Sequence, residues 1–249
     1  YKKLRSYLGV ETPPKALDIA SRRVWVDEEI LQRFKIDTRC IFSDPPIEWE
    51  TAENPPALLT DGWGIVYERS ENGYYFTIRE HPLQNADLDE LDRYEGPPGF
   101  SNGWLDHLSS LARQLKEDSP YAVVGTLNNE GIFELGWFLR GFEGFLNDMV
   151  LNPDFFHALM RKVTDIQKRR YGQFLKAVGR YLDVVVVGDD VAMQTGPIVS
   201  PELYRKIVKP YHKEYFDFIK SLTGAKLMYH CCGDVSSLID DFIEIGADA

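Results

Sequence analysis

The run His230-Cys231-Cys232-Gly233 holds the side chains best suited to chemistry in this chain. It follows Lys226-Leu227-Met228-Tyr229, a short apolar and aromatic stretch set between Gly224 and Gly233. Such a stretch predicts a brief buried strand that ends in a turn. Side chains alternate between the two faces of a strand, so His230 and Cys232 should point to one side and Cys231 to the other. An imidazole and a thiolate two residues apart at a strand end can grip zinc at two points. The same residues also admit a plainer reading, because Cys is often a small buried hydrophobe and His often serves only as a hydrogen-bonding group. Residues 234–245 read as a helix, which would place the pair in a βα loop.

A second polar strand exit is Gly188-Asp189-Asp190, after the run Val184-Val185-Val186-Val187. Asp189 and Asp190 are the catalytic candidates, able to orient a substrate, complete a metal shell or handle a proton. Adjacent carboxylates at a turn serve equally well as caps or as solvated groups. Gln194, in the loop 191–199, is a candidate cofactor contact. Catalytic zinc usually takes three protein ligands, and only His230 and Cys232 are evident. The third is missing, or an Asp supplies it, or it lies beyond Ala249. We favour the last, because the chain breaks off at Gly246-Ala247-Asp248-Ala249, where a further strand is due. Cys40 lies far upstream, and His81, His107, His157 and His212 form no ligand-like pattern. The sequence contains no Cys-x-x-Cys, His-Glu-x-x-His, Gly-x-Ser-x-Gly or phosphate-binding loop. It also lacks Asp-x-His-x-x-Gly, the lower-ligand signature of corrinoid-binding proteins.

The elements that would position these residues form a regular rhythm after Gly99. Helices are predicted over 101–118, 131–139, 141–151, 152–181 and 200–222, and strands over 121–127, 183–187 and 226–229. Asn152-Pro153 and Ser200-Pro201 supply cap-then-proline starts for two of the helices. Continuous apolar strands alternating with helices suit a parallel sheet buried on both faces. A doubly wound sheet and a (β/α)8 barrel both fit. No Gly-x-Gly-x-x-Gly follows any strand, which favours the barrel, with its chemistry at the strand exits. Upstream, helices are expected over 1–8 and 28–34 and a strand over 40–42. Residues 61–69 and 74–79 alternate around Asn72-Gly73, a primed-turn pair. They predict a β-hairpin excursion at about 61–80 whose aromatics (Trp63, Tyr67, Tyr74, Tyr75, Phe76) pack. The fold class is thus α/β, one (β/α)8 TIM-barrel domain over 1–249. We expect it to be cut at both ends, since the chain opens at Tyr1 in a helix-like stretch.

The net charge of −11 and pI of about 5.0 argue against binding nucleic acid or anionic membrane through bulk electrostatics. No run of about 18 apolar residues is present, so no membrane span is expected. Three Cys, two of them adjacent, make no disulfide framework and suit a reducing cytoplasm.

Several stretches together resemble the uroporphyrinogen decarboxylase superfamily, and within it the corrinoid-dependent methyltransferase branch. They are His230-Cys231-Cys232-Gly233-Asp234-Val235, Ile239 to Asp248, Gly188-Asp189-Asp190, Gln194-Thr195-Gly196-Pro197, Ser200-Pro201-Glu202 and Pro210-Tyr211-His212-Lys213. Asp61-Gly62-Trp63-Gly64 and Gly141-Phe142-Glu143 belong to the same likeness. The resemblance implies a (β/α)8 barrel. In the methyltransferases a His-x-Cys pair and a later Cys hold zinc. His230 and Cys232 match the pair, and the later Cys has no counterpart here. The decarboxylases do not use this pair and carry an early Arg-rich motif that is absent from this chain. The activity this resemblance implies is zinc-dependent methyl transfer between a corrinoid protein and a small thiol, folate, methyl ether or methylamine. A metal-free porphyrinogen-type decarboxylase and a non-catalytic corrinoid-binding barrel are the alternatives. The expected partners are a corrinoid protein and a small methyl donor or acceptor, with a homodimer left open.

Overall fold

A computed structural model describes residues 1–71, 73, 75–127 and 131–249. Its centre is a parallel sheet of four strands, β1 (Thr38–Phe42), β2 (Ala122–Thr126), β3 (Val184–Gly188) and β4 (Lys226–His230), in the order β4-β3-β2-β1. Pairing His230 with Gly188, Val186 with Thr126 and Thr126 with Phe42 brings the four carboxyl ends to one rim. Helices α1 (Asn102–Asp118), α2 (Ile132–Arg140), α3 (Phe142–Leu151), α4 (Pro153–Val178), α5 (Lys209–Leu222) and α6 (Ile239–Glu244) accompany the strands. The alternation of strand and helix is as the sequence predicts, with one addition. The strand around Cys40, unplaced by pattern, is an outer member of the parallel sheet.

The closed eight-stranded barrel is not what these residues form. Among the described residues the sheet has four parallel strands, and the outer side of β4 is bonded to the last residues of the chain, the Tyr229 amide to the Ala249 carbonyl and the Asp248 amide to the Leu227 carbonyl, each at 2.8 Å. On the β4 side Met228 is 44% exposed, and on the β1 side Cys40 is exposed.

Burial explains which residues make these elements. Val185 and Val187 are buried in the core while Val184 and Val186 are half-buried, as the alternation of side chains along a strand requires. Along α4, Phe155, Phe156, Leu159, Met160, Val163, Ile166, Phe174 and Leu175 recur at helical spacing and are all buried. The helix predicted over 200–222 is instead interrupted by a π-helical turn at Tyr204–Val208, just before α5. Pro210 accounts for it, since it has no N–H to donate and its ring crowds the carbonyl four residues back.

The predicted hairpin forms between Val66–Arg69 and Phe76–Glu80, and Leu58–Thr60 adds a third antiparallel strand. Residues 61–65 turn rather than extend. The Asp61 carboxylate accepts the amides of Trp63 and Ile65 at 2.9 Å, and Gly64 takes a φ of 78° that a side chain would resist. Asn72 and Tyr74 of the predicted hairpin lie outside the described residues. A second antiparallel sheet joins Lys15–Asp18, Arg23–Trp25 and Ile47–Glu48.

Asp248 ties the end of the chain to β4. Its carboxylate accepts the Leu227 amide at 2.9 Å and meets Lys220 and Lys226. The Leu227 amide foremost, then Lys220, hold its pKa down to about 2. A depressed carboxyl adds stability above its unfolded value of about 3.9, and that stability is lost as the pH falls towards the folded value. Asp248→Asn should therefore melt below the parent at pH 7. The gap should close between about pH 4 and pH 2 in thermal scans. A gap that stays constant down to pH 2 would show that the carboxylate contributes nothing.

Candidate functional site

The rim at the carboxyl ends of β3 and β4 gathers Asp190, His230 and Cys232. One ligand atom of each lies within 4.8 Å of the others. His230 Nε2 is 3.3 Å from Cys232 Sγ, and Asp190 Oδ1 accepts the Cys232 backbone N–H at 2.7 Å. Zinc–ligand bonds of about 2.0–2.3 Å in a tetrahedron separate ligand atoms by about 3.3–3.8 Å. The trio therefore needs only small side-chain adjustments to close on an ion. His230 and Cys232 are exposed, which leaves a coordination position open to a substrate. Cys231 is half-buried and packs against the hydrophobic core. The strand itself ends at His230, yet the alternation persists for two more residues.

Backbone contacts fix the loop. The Asp234 amide donates to the Met193 carbonyl at 2.8 Å, within a small antiparallel pairing of Ala192–Met193 with Gly196–Pro197. Residue 233 passes so close that a Cβ there would lie 2.2 Å from the Ala192 carbonyl, so only Gly fits. Burial raises the Cys232 thiol pKa, and the charge of Asp190 raises it further. A cation between the two groups would reverse that effect and favour the thiolate. This donor set of carboxylate, imidazole and thiol fits zinc.

The two aspartates part company. Asp190 belongs to the trio, whereas the Asp189 side chain is buried in the wall behind it. Asp189 accepts the Phe133 and Glu134 amides, each at 2.8 Å, at the first turn of α2. Its Oδ2 is also 2.8 Å from His212 Nε2 on α5. A carboxylate only accepts, so Nε2 carries a proton, and Nδ1 shares a hydrogen bond with Tyr204 Oη at 3.0 Å. Gly131 permits this approach, since a Cβ there would lie 2.2 Å from Asp189 Cγ. Gln194 sits exposed at the tip of the 192–197 hairpin, outside the trio.

Sequence reasoning missed three residues. His212 is a buried partner of Asp189. Asp44 follows β1 on the same rim, and its Oδ1 is 3.6 Å from Nη2 of the buried Arg170. A strand followed by Ser43-Asp44 repeats the polar exit of β3, a signal that could have found it. Arg170, inside the long helix α4, carries no such signal.

Residues 59–249 match the family model described as uroporphyrinogen decarboxylase (URO-D). The chain belongs to the uroporphyrinogen decarboxylase family. A "methyltransferase from Methanosarcina mazei" is a similar solved structure, with a TM-score of 0.52 and 18% sequence identity. The match covers 75% of this chain and 52% of that one, so the chain spans about half the length of that protein. At this identity the likeness speaks for the fold. No curated protein matches the chain. Four parallel strands with helices between them are half the number that a TIM barrel closes with. No helix among the described residues is long and apolar enough to cross a membrane.

Proposed function

We propose that this member of the uroporphyrinogen decarboxylase family is a zinc-dependent methyltransferase, moving a methyl group between a corrinoid protein and a small substrate. The observation that carries the reading is the convergence of Asp190, His230 and Cys232 on one exposed rim. The likeness to a methyltransferase in fold points the same way. His230, Cys232 and Asp190 would hold the metal. Bound there, zinc would lower the pKa of a substrate thiol or polarise a methyl ether oxygen. A free thiol has a pKa near 8.5 and is mostly unreactive at neutral pH.

The remaining roles fall to the chain itself. Asp189 locks the first turn of α2 and the His212 ring, which keeps the β3 exit in place beside the ligand loop. Asp190 orients the loop through the Cys232 amide. The exposed rim leaves room for a corrinoid carrier to dock over the strand exits. Docking would hold both reactants in one complex and make the transfer effectively intramolecular. The family name favours a second reading, metal-free decarboxylation of a porphyrinogen. Against it, Asp190 stands on the rim with no cation beside it among the described residues, a charge that would repel a polycarboxylate.

An anaerobic assay separates the two readings. Protein with methylcobalamin and a panel of thiols or tetrahydrofolate should lose methyl–cobalt absorbance. Alternatively, protein with cob(I)alamin and methyl ethers or methylamines should gain it. Either change should require zinc and Cys232. No change in either direction, with free cobalamin or with a cognate carrier, together with turnover of a porphyrinogen, would overturn the methyl-transfer reading.

A further inference from the structure

An apolar row crosses all four strands of the parallel sheet on the face that carries the metal-ligand trio. Side chains two residues apart on a strand share a face, so Met228 stands with His230 and Val186 with Gly188. The register pairs Met228 with Val186, Val186 with Thr126 and Thr126 with Phe42. Burial agrees with this placement. Leu227, Val185, Val187 and Val123, on the opposite face, are buried, whereas Met228 is exposed and Val186, Thr126 and Phe42 are half-buried. At about 3.3 Å per residue, Met228 lies about 7 Å from His230 along β4, one step below the rim. Three strand spacings of about 4.8 Å make the row about 14 Å long. At its far end the Phe42 ring meets Trp25 edge-on, with centroids 5.0 Å apart. The Thr126 hydroxyl donates to the Leu127 carbonyl at 2.9 Å, so it adds no free donor to the row.

Charge is scarce on this face. Among the described residues of the four strands, alternation puts one Lys or Arg there, Lys226. It precedes His230 by four residues, about 13 Å of strand, and its Nζ lies 3.4 Å from Asp248. Asp190, at the trio, has no ion pair among the described residues. The surroundings of the open coordination position are therefore carbon below and a carboxylate beside it.

We propose that the substrate at this site has an uncharged, apolar body, which lies on the row Met228, Val186, Thr126 and Phe42 while its heteroatom meets the metal. The inference rests on the methyl-transfer reading and narrows it to one class of substrate. A sulfonate or carboxylate tail would lose water over carbon and find no free cation in exchange. An ammonium would find the charge of Asp190 already matched by the metal. An apolar body gains about fourfold in affinity for each methylene taken out of water. Met228 suits such a body, because its unbranched, polarisable side chain adapts to aliphatic and aromatic shapes alike.

The test uses the whole chain loaded with cobalt(II) in place of zinc. The thiolate-to-cobalt charge-transfer band then reports a thiol on the metal without turnover. The probes are benzyl mercaptan, 2-mercaptoethanol, 2-mercaptoethanesulfonate and cysteamine, each corrected for its own acidity. Benzyl mercaptan should bind at least about tenfold more tightly than each of the other three. Met228→Lys should weaken benzyl mercaptan at least about tenfold and tighten 2-mercaptoethanesulfonate at least about threefold. Met228→Ala should weaken benzyl mercaptan at least about threefold, and it decides the matter if the lysine variant does not fold. Cobalt content, circular dichroism and melting of Met228→Ala should stay at the parent values, since the side chain is exposed. The proposal is overturned if any polar or charged thiol binds the metal-loaded protein as tightly as benzyl mercaptan. It is equally overturned if the folded Met228 variants bind benzyl mercaptan as the parent does. Metal uptake with the wrong order of thiols overturns this inference alone and leaves the methyl-transfer reading standing. A chain that takes up no metal at the trio overturns that reading, and this inference with it.

Discussion

Cys232→Ser should strip the protein of zinc, while Cys231→Ser should keep it. Both residues are free thiols, adjacent in one loop, so composition cannot tell them apart. Geometry does. Cys232 Sγ lies 3.3 Å from His230 Nε2, whereas Cys231 packs against the core. After equilibration with zinc and desalting, the parent should retain about one zinc per chain. Loss of an outer partner alone costs metal sites about 10–100-fold in affinity, so loss of the thiolate should exceed about 100-fold in a chelator competition. Asp190→Asn adds a sharper question. Its carboxylate is the third donor within reach, where the sequence pointed to a residue beyond Ala249. If Asp190 is a ligand, Asp190→Asn should weaken zinc at least about tenfold. Retained zinc in Cys232→Ser and lost zinc in Cys231→Ser would reverse the assignment.

Asp189→Ala should be the most destabilising change at the site, and for a reason unrelated to metal. The buried carboxylate satisfies two amides at the start of α2 and the imidazole of His212, all at 2.8 Å. Removing it orphans three donors at once, two of them buried and the Glu134 amide partly so. Breaking one partner out of such a buried polar cluster costs about 3–5 kcal/mol. In a chain of this length that corresponds to a fall in Tm of about 6–20 °C. Zinc should still bind, because the backbone links from Asp189 to the ligand loop do not use its side chain. The Asp189 amide donates to the His230 carbonyl at 2.9 Å, and the Tyr229 hydroxyl donates to the Asp189 carbonyl at 3.0 Å. His212→Phe leaves the carboxylate its two amides and should cost less, about 1–3 kcal/mol. An Asp189→Ala protein that melts within about 2 °C of the parent, a span of about 1 kcal/mol or less, would sink this account.

Periodicity and punctuation determined most of the element list. Apolar runs such as Val184–Val187 are legible because burial on both faces admits little else. The start at Ser200-Pro201 is legible because Ser200 accepts the Leu203 amide as a cap residue must, whereas Asn152 takes the cap position without a side-chain bond. The His230–Cys232 pair was legible because strand alternation is a local property that survives past the last paired residue. The interrupted helix at Tyr204–Val208 was not, since apolar spacing is blind to a missing N–H at Pro210. What only the tertiary structure decided depends on distance across the fold. Asp189 and Asp190 are identical in type and adjacent in sequence, yet one is sealed behind α2 and the other meets the thiol. Alternation sends neighbouring side chains to opposite faces, but which face holds helix and which holds the open rim is set by strands and helices far away in the chain. The same holds for Asp44 beside Arg170, 126 positions apart in sequence and 3.6 Å apart in space.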